Sequence, residues 1–117
     1  MLIAHGVHDQ LVSPRATEEY VARVRAAMGA ARSAGFLRYY EIPGYNHAAS
    51  TVFNAAWDSL GALEDWVERG TAPPAQVVAD TVGVPGRTRP LCEYPTWPKY
   101  AGSGDVDAAS SFVCAAQ

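Results

Sequence analysis

Residues 1–70 alternate between short apolar runs and helical patterns, and this alternation constrains the fold more than any other feature. The apolar run at residues 2–4 ends at His5-Gly6, as a buried strand does where it enters a loop. Ser13-Pro14 then predicts a helix start, with a serine cap and a proline at the first helical position. The segment FLRYYEI at residues 36–42 is rich in aromatic and branched side chains, which predicts a second strand.

Each predicted strand leads into an amphipathic helix, which gives a strand–helix–strand–helix order. Gly70 and the pair Pro73-Pro74 end the second helix. This order predicts an α/β fold in which parallel strands are joined by a crossover helix. The apolar positions at helical spacing are Tyr20, Val21, Val24, Ala27 and Met28 in the first helix and Phe53, Trp57, Leu60, Leu63 and Val67 in the second.

The composition of the sequence changes at about residue 71, where proline and glycine become frequent and the hydrophobic periodicity fades. We therefore divide the chain into an α/β core at residues 1–70 and an irregular C-terminal tail at residues 71–117 that packs on the core. A chain of 117 residues is long enough for one hydrophobic core and too short for two ordinary domains.

Composition argues against several classes of partner. Hydrophobic residues make up 49% and charged residues 18%, which is typical of a globular protein. The net charge of -3 gives no electrostatic reason to expect nucleic acid or an anionic membrane as a partner. No apolar run approaches the roughly 20 residues of a membrane span, and the first residues do not form a signal peptide. Because domains seldom open on a core strand, we expect a truncation or a mis-assigned gene start.

Two side chains follow the predicted strands at positions where α/β proteins place their active groups. Asp9 comes after the first strand, and His47 lies in the loop PGYNH after the second. A single crossover would bring both to the same edge of the sheet, where Asp9 could accept the His47 Nδ1 proton and orient the ring. Taken singly, Asp9 can also be read as a turn or helix cap, and His47 as a surface or packing residue.

The loop PGYNH also contains a glycine with a predicted conformational role. Gly44 is expected to adopt a positive φ after Pro43, so that the chain turns off the strand and His47 projects over the sheet edge. A nucleophile to match this histidine is not recognisable, because no G-x-S-x-G motif is present. The serines without a strand–turn–helix setting are Ser13, Ser33, Ser50, Ser59, Ser103, Ser110 and Ser111.

Four segments are distinctive in combination: HGVHDQLVSP, YYEIPGYNH, LEDWVERGTAP and RTRPLCEYPTWPKYAGSGDVDAASSFVC. Together they resemble the C-terminal part of the tannase and feruloyl esterase family over nearly the whole chain. The H-G-x-x-D element is shared by many α/β-hydrolases. The pieces RPLC, YP, Y-x-G-S-G-D and FVC, in that order, are far more specific.

This resemblance implies the C-terminal portion of an α/β-hydrolase, from a secreted serine esterase that cleaves small aryl esters such as gallates and ferulates. Asp9 would be the triad acid and His47 the triad base. The parent protein would be extracellular or periplasmic. No cofactor is expected in this chain, because the family's calcium site would lie in a substrate-binding lid that is absent here.

The sequence also departs from the family pattern. The nucleophilic serine of the family lies in an N-terminal segment that has no counterpart in this chain. Many members carry a cysteine directly after the histidine, bonded to a cysteine beside the serine, whereas this chain has Ala48 there. Either the parent belongs to a subset without this bridge or the substitution signals decay.

Cys92 and Cys114 are the two cysteines of the chain. Two free thiols would be the default in a reducing compartment, and two cysteines without nearby histidines provide too few ligands for a metal site. The resemblance implies instead that they form the family's C-terminal disulfide, which closes the tail.

The leading hypothesis is a fragment of a serine esterase that supplies the acid and the base and requires the missing N-terminal segment for activity. The isolated chain is expected to be inactive. The alternative is a non-catalytic partner or structural subunit that completes a sheet from another chain. A small standalone hydrolase that uses one of its own serines is a third reading.

Overall fold

A computed structural model describes residues 1–116 and arranges their strands in three small sheets. Within these residues, no helix is long and apolar enough to cross a membrane. The elements in chain order are β1 (Leu2–Gly6), α1 (Pro14–Met28), α2 (Ala30–Ala34), β2 (Arg38–Ile42), β3 (Ala55–Ala56), α3 (Ser59–Arg69), β4 (Gln76–Asp80), β5 (Thr88–Leu91), β6 (Thr96–Tyr100), a 3-10 turn (Ala109–Ser111) and β7 (Phe112–Ala116).

Strands β1 and β2 pair in parallel, with Ala4 opposite Tyr40 and Gly6 opposite Ile42. The connection between them runs through α1 and α2, so both strands end at the same edge of the sheet. The other two sheets are antiparallel, in the orders β3-β4-β5 and β6-β7. The fold is therefore α/β with mixed strand pairing, and the predicted strand–helix–strand–helix order omits β3.

Helix α1 begins at the predicted position, with Ser13 in an extended conformation before Pro14. The Ser13 side chain makes no capping hydrogen bond. The predicted apolar face is only partly correct, because Val21 is fully buried whereas Tyr20 and Met28 are exposed. Val24, which is partly buried, packs against the same cluster as Val21, and short helix α2 follows α1 directly.

The second predicted helix is shorter than its apolar pattern. Phe53 and Trp57 precede α3, because residues 55–56 are extended and pair with β4. Asp58 caps α3 by accepting a hydrogen bond from the Gly61 N–H at 2.9 Å. Gly70 ends the helix in the left-handed conformation, as predicted. The prediction was wrong for Leu60 and Val67, which are exposed on the helix.

Strand β2 lies between two apolar clusters. Tyr39 packs with Val21 and Leu37 on one side of the strand. Alternate residues face the other side, where the second cluster consists of Tyr40, Ile42, Phe53, Val78 and Leu91. Because successive side chains of a strand point to opposite faces, β2 can bury both of its faces. This buried strand fixes the position of the loop that follows it.

The region after residue 70 contains strands β4 to β7, where sequence analysis expected irregular structure. Its strands are short and interrupted by proline and glycine, so they leave little periodicity. The predicted disulfide between Cys92 and Cys114 is confirmed, with a Cα–Cα distance of 5.5 Å. The Tyr94 N–H also donates to the Tyr39 carbonyl at 2.8 Å, which attaches this region to β2. The final residue of the predicted tail, Gln117, lies outside the described residues.

Candidate active site

The loops that follow β1 and β2 lie directly against each other. The Val7 N–H donates to the Ile42 carbonyl at 3.1 Å, and the His8 N–H donates to the Tyr45 carbonyl at 3.0 Å. A Cβ atom on Gly6 would lie 2.4 Å from the Tyr45 carbonyl oxygen, which is too close for any side chain. Gly6 is therefore required because backbone from the second loop occupies the space of a side chain.

The second loop carries His47 and is shaped by a glycine and two polar side chains. Gly44 has a φ of 75°, which confirms the predicted positive value. Its carbonyl accepts a hydrogen bond from Ser50 Oγ at 2.6 Å. The Asn46 side-chain oxygen accepts from the His47 N–H at 2.8 Å. The loop is thus held on both sides of the histidine by hydrogen bonds.

The structure brings Asp9 and His47 together at the end of the parallel strands. His47 Nδ1 lies 2.9 Å from Asp9 Oδ2. An ionised carboxylate can only accept hydrogen bonds, so His47 must carry a proton on Nδ1. In the neutral ring this places a lone pair on Nε2. The Asp9 side chain is 4% exposed and the His47 side chain is 48% exposed. The carboxylate is therefore buried, whereas the imidazole that it orients reaches the surface.

Asp9 accepts hydrogen bonds at both carboxylate oxygens. Oδ1 accepts from the backbone N–H groups of Leu11 at 2.8 Å and Val12 at 2.9 Å. Burial raises the pKa of Asp9, but the hydrogen bonds from Val12, His47 and Leu11 outweigh burial and hold this pKa well below its ordinary value. Asp9 is therefore ionised at neutral pH. It shapes its own turn and also contacts His47, so the two readings of this residue are compatible.

His5 is a polar neighbour that sequence analysis did not single out. Its Nε2 lies 3.1 Å from Asp9 Oδ2 and 3.2 Å from the Val12 carbonyl oxygen, and its Nδ1 lies 2.8 Å from Thr17 Oγ1. The signal that points to this residue is the H-G-x-x-D element itself, in which the first histidine lies four residues before the acid.

Several cavities lie around this pair of loops. The smallest, about 220 Å³, contains Asp9, His47 and His5 in its wall. Cavities of about 530 Å³ and about 320 Å³ share His8 as a lining residue. The remaining lining residues of the 320 Å³ cavity are Pro43, Gly44, Val52, Phe53, Arg87, Arg89, Trp97 and Pro98. A hollow lined by apolar, aromatic and basic side chains therefore lies beside the histidine loop.

Asp80, at the end of β4, is a second buried carboxylate that sequence analysis missed. Oδ2 accepts from Arg87 Nη2 and from the Val84 N–H, both at 2.7 Å. Oδ1 accepts from three backbone N–H groups, those of Asn54, Val82 and Gly83. Burial raises the pKa of Asp80, but its backbone hydrogen bonds outweigh burial and hold this pKa well below the ordinary value. The Arg87–Asp80 ion pair lies within the region after residue 70.

Asp80 is linked to the histidine loop by a short series of hydrogen bonds. Asp80 accepts from the Asn54 N–H at 2.9 Å, and Asn54 Oδ1 accepts from the Ser50 N–H at 2.9 Å. Ser50 then donates to the Gly44 carbonyl. The region after residue 70 therefore supports the loop that carries His47.

Comparison with known proteins places this site in context. The family model described as tannase and feruloyl esterase matches residues 1–115. The chain is 46% identical to an uncharacterized esterase of Agrobacterium fabrum, over 94% of this chain and 20% of that protein. It is 42% identical to a mono(2-hydroxyethyl) terephthalate hydrolase of Piscinibacter sakaiensis, over 99% of this chain and 20% of the relative.

Similarity extends to fungal proteins and to a solved structure. A probable feruloyl esterase of Arthroderma benhamiae is 36% identical, over 98% of this chain and 22% of that protein. The crystal structure of feruloyl esterase B from Aspergillus oryzae matches with a TM-score of 0.84 and 25% identity, over 97% of this chain and 26% of that one. This chain therefore spans about a fifth to a quarter of the length of its relatives.

Proposed function

The chain belongs to the tannase and feruloyl esterase family, and from this premise we propose that it supplies the acid and the base of a serine esterase. Asp9 is the acid and His47 is the base. The nucleophilic serine and the lid belong to a segment outside this chain, and the chain forms the C-terminal portion of the resulting α/β-hydrolase. The small share of each relative that this chain covers supports this division.

The observation that carries the proposal is the contact between Asp9 Oδ2 and His47 Nδ1 at 2.9 Å, with the His47 side chain 48% exposed. In this arrangement His47 Nε2 accepts the serine proton while the serine oxygen attacks the ester carbonyl carbon. The resulting imidazolium then donates this proton to the departing alcohol, which leaves an acyl-enzyme.

Water completes the reaction through the same two residues. His47 Nε2 takes a proton from water as the water oxygen attacks the acyl carbon, and then returns it to the serine. Asp9 stays ionised throughout and stabilises the imidazolium across the hydrogen bond to Nδ1. Its low pKa and its backbone donors suit this role, since they favour the charged carboxylate.

We propose carboxylic esters with an aromatic acyl group, of the gallate or ferulate type, as substrates. The hollow beside the histidine loop is lined in part by Trp97, whose partly buried ring can pack against an aromatic acyl group. We also propose an extracellular or periplasmic location, because the disulfide between Cys92 and Cys114 persists in oxidising compartments.

A chimera tests the proposed roles directly. The C-terminal region of the Arthroderma benhamiae relative is replaced by this chain, and hydrolysis of methyl ferulate and methyl gallate is measured. We expect saturable turnover that is lost in His47→Ala and retained in Glu68→Ala, a substitution of an exposed side chain on α3. A His47→Ala chimera with full turnover would contradict the proposal and favour a structural subunit.

The isolated chain provides the complementary test. Without a positioned hydroxyl and an oxyanion hole, His47 gains no proximity advantage. We expect the isolated chain to hydrolyse methyl ferulate no faster than a small histidine-containing peptide at equal concentration. Saturable activity that disappears when one of its own serines is replaced would indicate a standalone hydrolase instead.

A further inference from the structure

Two histidines contact the same oxygen of Asp9. His47 Nδ1 approaches Oδ2 at 2.9 Å from the surface side, and His5 Nε2 approaches it at 3.1 Å from the interior. The His5 side chain is 10% exposed, against 48% for His47. The proposed mechanism uses only His47, so the second contact requires its own explanation.

The neighbours of His5 determine where its ring carries a proton. Nε2 faces Asp9 Oδ2 and the Val12 carbonyl oxygen, and both of these can only accept hydrogen bonds. Nε2 must therefore be protonated. Nδ1 faces the hydroxyl of Thr17 at 2.8 Å, which can donate. A neutral His5 ring with its proton on Nε2 satisfies all three contacts.

The backbone of the acid loop depends on the same ring. Val12 donates its N–H to Asp9 Oδ1, while its carbonyl oxygen accepts from His5. Thr17 lies in α1, so the ring connects β1, the acid loop and the crossover helix. An apolar side chain of similar size would fill the space but would leave both acceptors without this donor.

We propose that His5 is a positioning residue for the acid–base pair. Its Nε2–H fixes Asp9 Oδ2 and the loop that holds Asp9, so that the carboxylate points at His47 even while the exposed His47 ring rotates. The functional meaning of this role rests on the proposed function of His47. The contacts of His5 do not depend on the nucleophile, so the role can be tested in this chain.

The experiment is nitrogen NMR of the full chain labelled with ¹⁵N-histidine, at a pH where the rings are neutral. Ring nitrogen shifts distinguish the two tautomers of each histidine. We expect His5 to carry its proton on Nε2 and His47 on Nδ1. In His5→Ala, His47 should lose its Nδ1–H preference and show a mixture of tautomers. A neutral wild-type His5 protonated on Nδ1 would overturn the proposal before any substitution.

Two polar variants keep the test independent of folding. His5→Gln can place an amide N–H₂ near the position of Nε2 and should preserve the Nδ1–H tautomer of His47. His5→Asn is too short to reach Asp9 and should behave like His5→Ala. His8→Ala is the control, since within residues 1–116 its ring makes no hydrogen bond to Asp9.

Besides a wild-type His5 that is protonated on Nδ1, two results with the variants would each refute the positioning role. One is an unchanged His47 tautomer in His5→Asn, and the other is equal loss in folded His5→Gln and His5→Asn. These readouts need no turnover. An inactive chimera with the expected tautomer changes would therefore reject the proposed function while leaving the positioning role intact.

Discussion

Asp9 and Asp80 are both buried carboxylates at the end of a strand, and both accept N–H groups from the residues that follow them. In both, hydrogen bonds outweigh burial and lower the pKa. Their remaining partners differ. Asp80 pairs with Arg87, whose side chain is 19% exposed, whereas Asp9 contacts His47, which is 48% exposed.

This difference separates a carboxylate that stabilises a loop from one suited to support proton transfer by a histidine. Arg87 is always protonated and is held in place, so the Asp80 pair has a single charge state at working pH. An imidazole can gain or lose a proton in the physiological range, so the Asp9 carboxylate can stabilise the ring when it becomes positively charged. A buried, hydrogen-bonded aspartate is thus common to both sites, and the proposed function assigns chemistry to the one whose partner can change its charge.

The largest expected effect distinguishes the two aspartates by activity. In the chimera, Asp9→Asn should lower kcat by about 10⁴-fold with little change in KM, because an amide in place of the carboxylate favours the wrong His47 tautomer. Asp80→Asn should lower kcat per folded molecule by much less than Asp9→Asn, because Asp80 reaches the His47 loop only through Asn54 and Ser50. Steady-state kinetics with methyl ferulate, corrected for the folded fraction, measures both. A loss below tenfold in Asp9→Asn would contradict the assigned role.

The free energy of unfolding should rank the two aspartate variants in the opposite order, with the larger loss in Asp80→Asn. Asp80→Asn leaves Arg87 buried without its counter-ion, and breaking such a pair costs about 3 kcal/mol of unfolding free energy. Urea unfolding of the isolated chain measures this change. Asp9→Asn serves as the matched variant and should lower the unfolding free energy less, because its two partners, His5 and His47, are imidazoles that can be neutral rather than a permanent cation. Equal losses in both variants would remove the distinction.

The backbone contact beneath the acid–base pair gives a smaller effect. Gly6→Ala would place a methyl group against the carbonyl oxygens of Tyr45 and Asn46, so the two loops must separate at a cost of about 2 kcal/mol. The His47 tautomer should become mixed at the same time. Gly35→Ala is the control, because Gly35 has a helical φ of -72° and room for a methyl group with a slight adjustment.

The smallest effect is on the pH dependence of stability. Both aspartates have an ordinary pKa of 3.8 that is lowered in the fold, so each contributes stability above this pH and loses it as pH falls toward the folded-state pKa. The thermal midpoint should therefore decrease as the pH is lowered from about 5 to about 3, which is the upper part of the range over which the two aspartates lose their contribution to stability. Asp80→Asn should have a shallower dependence. An equal slope in the variant would show that Asp80 does not contribute.

The contact between Asp9 and His47 could be predicted from the sequence because the signals for their two loops are local. A strand that ends at a glycine, with a polar group just beyond it, constrains the chain within a few residues. Gly44 and Gly70 adopt the conformations that only glycine takes readily. The disulfide came from the family resemblance, since two cysteines in a sequence do not by themselves determine a bond.

The parts that were missed depend on contacts between distant segments. Phe53 and Trp57 fit a helical repeat with α3, but β4 draws residues 55–56 into an antiparallel pair. Asp80 resembles any turn aspartate until the Asn54 N–H and Arg87 are brought to it. His5 lies near the end of an apolar strand, and its hydrogen bonds can be recognised only when the fold brings Thr17 beside it. Periodicity does not contain this information.

The acid and base loops meet backbone to backbone at Gly6, so peptide groups rather than side chains set the distance between them. The separation of the two loops is therefore that of two peptide chains in direct contact. Gly6 is accordingly a position at which any larger side chain would lengthen the path from carboxylate to imidazole.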